Sequence, residues 1–580
     1  MSEQTNTDMS KHFYRASAAD FMKIPGSPVA YWLTEKWLEM FESTSAISEY
    51  SYASEGIKTG NNDRFLRYWF EVNWNDVGAL NQENSKWVFH HKGGEYRKWA
   101  GNREFVIYWL NDGKAVREMP NSGIQGERLF RQDAAVWSDI TSGGFSARLK
   151  NKEHLFDSAC PAAAFIDGQS IEVLLGFLNS CVVKYLTPII NPTLHFKVGN
   201  FRALPYVRAH ADVVNKLIDI SLCDWNSAET SWDFTSLDIS KNVSDDYSMI
   251  ASAYDDFKKK GDATIQEMKQ LEESNNRTLI ELCGLQKDLI AEVPINEITI
   301  NCNPYYRYGN KLRDIELENL YRCDTLKSLV SFSVGCMMGR YSLDKPGLII
   351  ASQGETIQDY LAQIPSPKFM PDDDAILPLT DQEWFADDVT NRFREFVKVV
   401  WGEETLQENL DFVAESLYLH AIKPKKGETS MEAIRRYLST QFYKDHMKTY
   451  KKRPIYWLFS SGKQKAFECL VYLHRYNEGT LSRMRTEYVT PLMGKYESQI
   501  RHIEEQQTSA SAVEKTKLDK ELKDYQSKLN ELREFDSKLK HYADMRISLD
   551  LDDGVKVNYG KFGDLLANVK DITGEKPNVT

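Results

Sequence analysis

Between Met484 and Tyr542 the sequence carries two apolar stripes at helical spacing. In the first, Met484, Tyr488, Leu492, Tyr496, Ile500 and Ile503 recur by threes and fours. In the second, Leu518, Leu522, Tyr525, Leu529, Leu532, Phe535, Leu539 and Tyr542 step as a heptad seam does. Only the string TSASA, Thr508 to Ala512, separates a usable helix end from a usable helix start. Two helices of matched length around so short a loop fold back on one another, each hiding its stripe against the other. A long antiparallel helical hairpin is therefore expected near the C-terminus. The string HYADMRISLDLDDGVKVNYGKF that follows alternates apolar and polar residues and predicts strands and a turn.

The region from about Ile47 to Tyr206 has the opposite texture. KWVFHH, REFVIYW, AVWSDI and AAAFI are short β-branched, aromatic or small-residue runs, and HKGGEY, LNDGK, NSGIQGE and TSGGFS punctuate them as turns. It closes on IEVLLGFLNSCVVKYLTPIINPTLHFKVGNFRALPY, which reads as a buried helix with a Pro-rich exit. Ahead of it, IPGSPVAYW supplies a turn and TEKWLEMF a helix. The expected class is α+β, with five segments: a tail and linker helix over 1–46, a β-rich domain over 47–206, a helical connector over 207–300, a mixed α/β segment over 301–440, and the hairpin with C-terminal strands over 441–580.

Several chemistries lack their residues. The eight Cys contain no C-x-x-C pair, so a zinc ribbon is not expected, and free thiols in a reducing cytoplasm are. His90 and His91 are adjacent and point apart in a strand. There is no H-E-x-x-H, no phosphate-binding G-x-x-x-x-G-K-[ST], and no G-x-G-x-x-G after a strand. Pro371-Asp372 is not followed by the acidic-x-Lys strand of a metal-dependent nuclease, and Asp372-Asp373-Asp374 reads as a solvated acidic linker. No metal and no catalytic residue is expected in this chain. The most apolar stretch, Ile171 to Ile190, is interrupted by Asn179, Lys184 and Pro188, so no membrane contact is expected, and the N-terminus has no apolar signal core.

What remains is a grip on nucleic acid. The chain has a net charge of −12, yet residues 86–152 hold twelve Lys or Arg against seven Asp or Glu, a local +5. Lys58, Thr59, Asn61, Asn62 and Arg64 crowd one turn, IKTGNNDR, ahead of the aromatic run FLRYW. Arg97, Lys98, Arg103, Arg131, Arg148 and Lys150 lie in the basic segment. Lys and Arg neutralise phosphates, and Arg and Asn read guanine and adenine edges in pairs of hydrogen bonds. Composition leaves a set of solvated strand faces equally open. Lys448 to Trp457 with Lys463 and Lys465 form a second basic-aromatic stretch, read as a helix-packing surface. Asn303-Pro304-Tyr305-Tyr306 is the nearest string to the Asn-Pro-Pro-aromatic element of amine methylation; it has one Pro and no cofactor turn before it, and reads as a Tyr-rich loop.

Several strings resemble a known family. IPGSPVAYW followed by GIKTGNNDRFLRYW is similar to the junction after the catalytic domain of the adenine-specific DNA methyltransferases of BREX phage defence (PglX). KWVFHHKGGEYRKWAGNREFVIYWLNDG and LFRQDAAVWSDITSGGFSARL resemble that family's target-recognition region, and NPYYRYG, YKDHMKTYKKRPIYWLFSSGK and HYADMRISLDLDDGVKVNYGKFGDLLA its later segments. The resemblance implies adenine N6 methylation with S-adenosylmethionine for the whole family. It puts the methyltransferase half before residue 24, where only a short polar lead stands. It therefore implies a site-recognition part without a cofactor of its own, with double-stranded DNA, a methyltransferase half and other BREX components as partners. The rival reading is a protein-interaction scaffold of a defence complex that touches DNA incidentally.

Overall fold

The structure is a computed structural model and describes residues 17–80, 82, 85–141, 143–208, 212–241 and 249–575, with the backbone alone at residue 241. The first sixteen residues of the polar lead lie outside the described residues. The chain forms two compact units that interleave along the sequence. The first takes Met1–Leu66, Gly78–Trp225 and Lys260–Lys311, and the second Arg67–Val77, Asn226–Lys259 and Leu312–Thr580.

The first unit is built on a four-stranded antiparallel sheet in the spatial order Ser51–Ser54, Ala162–Phe165, Ala134–Trp137, Ala147–Lys150. Successive side chains on a strand face opposite ways, and here both faces are covered. Ala53, Ala135, Trp137, Ala147 and Ala163 join the core of Leu174, Leu175, Phe177, Val183 and Leu186. Ala134, Val136, Ala162 and Ala164 join Val88, Ile107, Trp109, Leu155 and Phe156. The latter come from or flank a second sheet in which Trp87–His91 pairs antiparallel with Phe105–Tyr108 and parallel with Leu155–Phe156. Alanines in the middle layer let the layers on either side approach closely, so these strands read as small-residue runs rather than Val/Ile runs.

The buried helix expected to open IEVLLGFLNSCVVKYLTPII is two, Ile171–Leu178 and Cys181–Ile190, bent by 67°. Asn179 makes the break useful: its carboxamide takes both the N–H (2.9 Å) and the C=O (3.0 Å) of Ala147. Among the described residues no single helix is long and apolar enough to cross a membrane.

The second unit is mainly helical, around a three-stranded sheet ordered Ile376–Pro378, Glu468–Tyr472, Tyr456–Ser460. The hairpin is present: Thr490–Ser509 and Ala512–Asp544 bury Leu492, Tyr496 and Ile503 on one arm and Tyr525, Leu529, Leu532, Phe535, Leu539 and Tyr542 on the other. Its loop is shorter than TSASA, since Ser511 already caps the second helix in a capping box with Glu514. The mixed α+β class holds. Two further local readings do not. The C-terminal string forms no strand; it runs from the end of the second arm into the helix Gly554–Gly560, whose Val555, Asn558 and Tyr559 are buried at helical spacing. Asn558 fixes that start by donating to Asp550 O (2.6 Å) and Gly554 O (2.9 Å). Asp372-Asp373-Asp374 is a structured turn and not a solvated linker: Asp372 accepts from the Ala375 amide at 2.7 Å, and Arg475 binds the Asp372 and Asp373 carbonyls at 2.7 Å each.

Candidate nucleic-acid interface

The IKTGNNDR turn is exposed donors on a buried stem. Its strand Ile57–Lys58 pairs with Gly123–Ile124, and Ile57 is fully buried. Gly60 has φ +72°, and a Cβ there would lie 2.6 Å from the Pro120 carbonyl, so only glycine turns the chain here. Asn61 accepts from the Arg64 amide at 3.1 Å and caps the short helix Asn62–Phe65. Phe65 anchors that helix in the core, and the Arg64 guanidinium lies 4.9 Å from its ring centroid. Lys58, Asn61, Asn62 and Arg64 are exposed. Thr59 is not: it is buried and donates to Asn62 Oδ1 at 2.6 Å. Thr59 is thus an orienting group and not the outward donor expected, and its bond leaves the Asn62 NH₂ as the free end of the amide.

The basic β segment departs from expectation more sharply. Five of its six singled-out cations, Arg97, Lys98, Arg103, Arg148 and Lys150, are buried. Arg97 pairs with Asp224 at 2.8 Å, donates to Ala100 O and Ser221 O, and lies over the Trp225 ring. Lys98 pairs with Glu272, whose other oxygen accepts the Trp99 indole N–H at 2.7 Å. Arg148 donates to Ser138 Oγ and to the Arg97 carbonyl. The Lys150 ammonium donates to three carbonyls, those of Phe130, Gln132 and Asn151, at 2.9–3.3 Å. Burial pulls its pKa down to about 7, against the Asp133 charge, while the three carbonyls match the three N–H donors of the charged form. Arg97, Lys98, Arg148 and Lys150 thus spend their donors on groups within the first unit. Arg131 alone of the six is exposed.

The sequence reading missed Asp224 and Glu272, the anions that internalise Arg97 and Lys98. They stand 127 and 174 residues from their partners, and no local pattern marks them.

The other flagged groups are accounted for structurally. His90 lies 3.5 Å from Asp157, and His91 Nε2 lies 3.1 Å from His154 Nδ1 in a buried pair. Among the described residues no three His, Cys, Asp or Glu side chains come together as a metal site. Asn303 is fully buried, donates its amide to Ile295 O and Ile298 O at 2.7 and 2.8 Å, and caps a short helix Pro304–Tyr308 where a loop was expected. Tyr306 donates to the Tyr96 carbonyl at 2.6 Å. Asn303 Oδ1, the atom that would accept from a substrate amine, instead accepts from the Tyr305 amide at 3.1 Å in a fully buried side chain, so these residues do not fit a methyl-transfer centre using S-adenosylmethionine.

No family model matches the chain. Over nearly its whole length it is homologous to bacterial proteins described as adenine-specific methyltransferases. It is 48% identical over 565 residues to the adenine-specific methyltransferase BrxX of Escherichia coli O9:H4 (strain HS), a match covering 96% of this chain and 46% of that protein. It is 36% identical over 574 residues to the adenine-specific methyltransferase PglX of Lacticaseibacillus casei (strain Zhang), covering 95% of this chain and 45% of that protein. The chain spans just under half the length of these relatives.

Proposed function

We propose that this chain is the DNA target-recognition part of a BREX-type adenine-specific DNA methyltransferase, working with a methyltransferase half that supplies S-adenosylmethionine chemistry and with other BREX components. The observation that carries the reading is the match to BrxX and PglX across nearly all of this chain and only half of theirs. The exposed donors support it: Lys58, Asn61, Asn62 and Arg64 stand on a turn whose stem is rigid, and a rigidly held loop is a common bearer of recognition. Arg131 adds a further exposed cation. Arg64 and Lys58 are assigned to phosphate, and the Asn62 amide to a phosphate or a base edge.

Fluorescence anisotropy with duplex DNA over a salt series tests this. Affinity should fall with salt by a slope of about −0.9 per phosphate held, and Arg64→Ala should reduce that slope by about 1 and weaken binding across all sequences. Salt-independent binding, or full affinity in Arg64→Ala and Asn62→Ala, would favour the scaffold reading instead.

A further inference from the structure

The chain holds two basic stretches, and folding treats them in opposite ways. Residues 441–465 carry seven Lys or Arg against one acid, Asp445, in a chain of net charge −12. Their aromatic members pack inward: Phe442, Tyr443, Tyr450, Tyr456 and Trp457 are buried. Their lysines do not follow. Within the second unit, Lys444 and Lys448 are exposed on the helix Tyr443–Thr449, and Lys452 is exposed on the turn that ends it. None of these three ammonium groups has an ion-pair or hydrogen-bond partner among the described residues. Asp445 is already held by Lys327 at 3.5 Å and by the Tyr437 hydroxyl at 3.0 Å. The inward side of the helix is anchored by His446, which accepts the Ile455 and Tyr456 amides at 3.2 and 3.1 Å. The lysines therefore stand on a fixed base.

Local physics opposes this arrangement twice. Lys444 and Lys448 are one turn apart on one helix face, about 6 Å between Cβ atoms, and like charges so placed repel. Lys452 follows Lys451 in the left-handed region, at φ +60° and +50°, where glycine is the ordinary occupant after a helix. A helix C-terminus favours a cation in its last turn, which accounts for Lys448 and for neither of the others. We propose that Lys444, Lys448 and Lys452 form a phosphate-contact face on the second unit, holding the backbone of duplex DNA without regard to sequence. This rests on the DNA-recognition reading and divides its labour: sequence preference stays with the first unit, and part of the charge-driven affinity sits in the second. The chemistry selects DNA over an acidic protein. Protein interfaces are depleted in Lys and anchored by aromatic side chains, and here every large hydrophobic side chain of residues 441–465 is buried. A lysine ammonium is a compact point charge that suits a phosphate oxygen.

The test is a salt series of fluorescence anisotropy on the full chain, with two unrelated duplexes of equal length. Lys444→Ala with Lys448→Ala should lower the salt slope by about 2, and Lys452→Gly by about 1, equally on both duplexes. Lys517→Ala with Lys520→Ala removes two lysines from exposed positions on the hairpin helix Ala512–Asp544 and should leave the slope at the parent's value. Glycine relieves the left-handed strain, so Lys452→Gly should melt no lower than the parent, and its loss of binding is then not a loss of fold. Parent slopes in both lysine variants, a loss confined to one duplex, or an equal fall in the hairpin control each overturns the face. Asn62→Ala and Arg64→Ala on the same duplexes keep the two readings apart. A loss there with none here leaves DNA recognition standing without this face, and a parent chain that binds neither duplex at low salt overturns both.

Discussion

Glu272→Ala is expected to destabilise the first unit by about 3–5 kcal/mol, the usual consequence of removing one partner of a buried ion pair. Glu272 is 3% exposed, holds the Lys98 ammonium and accepts the Trp99 indole N–H. Its loss strands a buried cation and a buried donor together. Urea denaturation gives the total, and hydrogen exchange localises it: the amides of Ala134–Trp137 and Ala147–Lys150, the central and edge strands of the sheet, should lose protection first. The double substitution Lys98→Met, Glu272→Leu should recover most of the loss, because an apolar pair of similar size carries no desolvation cost. A penalty below about 1 kcal/mol for Glu272→Ala would mean that Lys98 escapes to water and that the inward assignment of the basic segment is wrong.

Acid should weaken the second unit through two histidines that are kept neutral. His446 accepts the Ile455 and Tyr456 amides on Nε2 at 3.2 and 3.1 Å, so its proton is on Nδ1; His474 meets the Val72 carbonyl through Nε2 at 3.0 Å. Burial, with the Arg340 charge nearby, lowers both to about 3 from 6.5. The folded pKa lies below the unfolded one, so the unfolded chain binds more protons between pH 6.5 and 3, and stability is lost as the pH drops through that window. At pH 5 each histidine contributes a loss of about 2 kcal/mol relative to neutral pH. Asp372, pushed up to about 8 by burial beside Asp374, acts with the opposite sign over the same interval, since its acid form is favoured by folding. The measurement is therefore a difference. Gln at position 446 offers an acceptor to the same two amides but does not titrate. Between pH 7 and 5, His446→Gln should lose about 2 kcal/mol less than the parent in urea unfolding. Parallel pH profiles for the two proteins would show that His446 is not held neutral.

The parts of this architecture that were legible in the sequence are those with a local period. The hairpin stripes, the strands in KWVFHH, REFVIYW, AVWSDI and AAAFI, and the Gly60 turn each state their geometry within a few residues. The C-terminal misreading came from the same tool: ISLDLDDGVKV alternates as a strand does, but Asn558 binding back to Asp550 and the buried Val555 and Tyr559 start a helix in its place. The site was legible only as a turn. The outward placement of Lys58, Asn61, Asn62 and Arg64 follows from a tight Gly-Asn-Asn corner, whereas the inward placement of Arg97, Lys98, Arg148 and Lys150 depends on partners remote in sequence or on main-chain carbonyls. LNDGK looked like ordinary punctuation. That it carries three left-handed residues beside an unpaired indole is a tertiary fact.

The inward-facing cations also decide how controls must be chosen. Residues 86–152 carry a net +5 that folding conceals. Unfolding brings those cations to the surface, where they can meet DNA phosphates without regard to sequence. A heat-treated sample is therefore an unsound blank. A folded point variant such as Arg64→Ala is the sound reference.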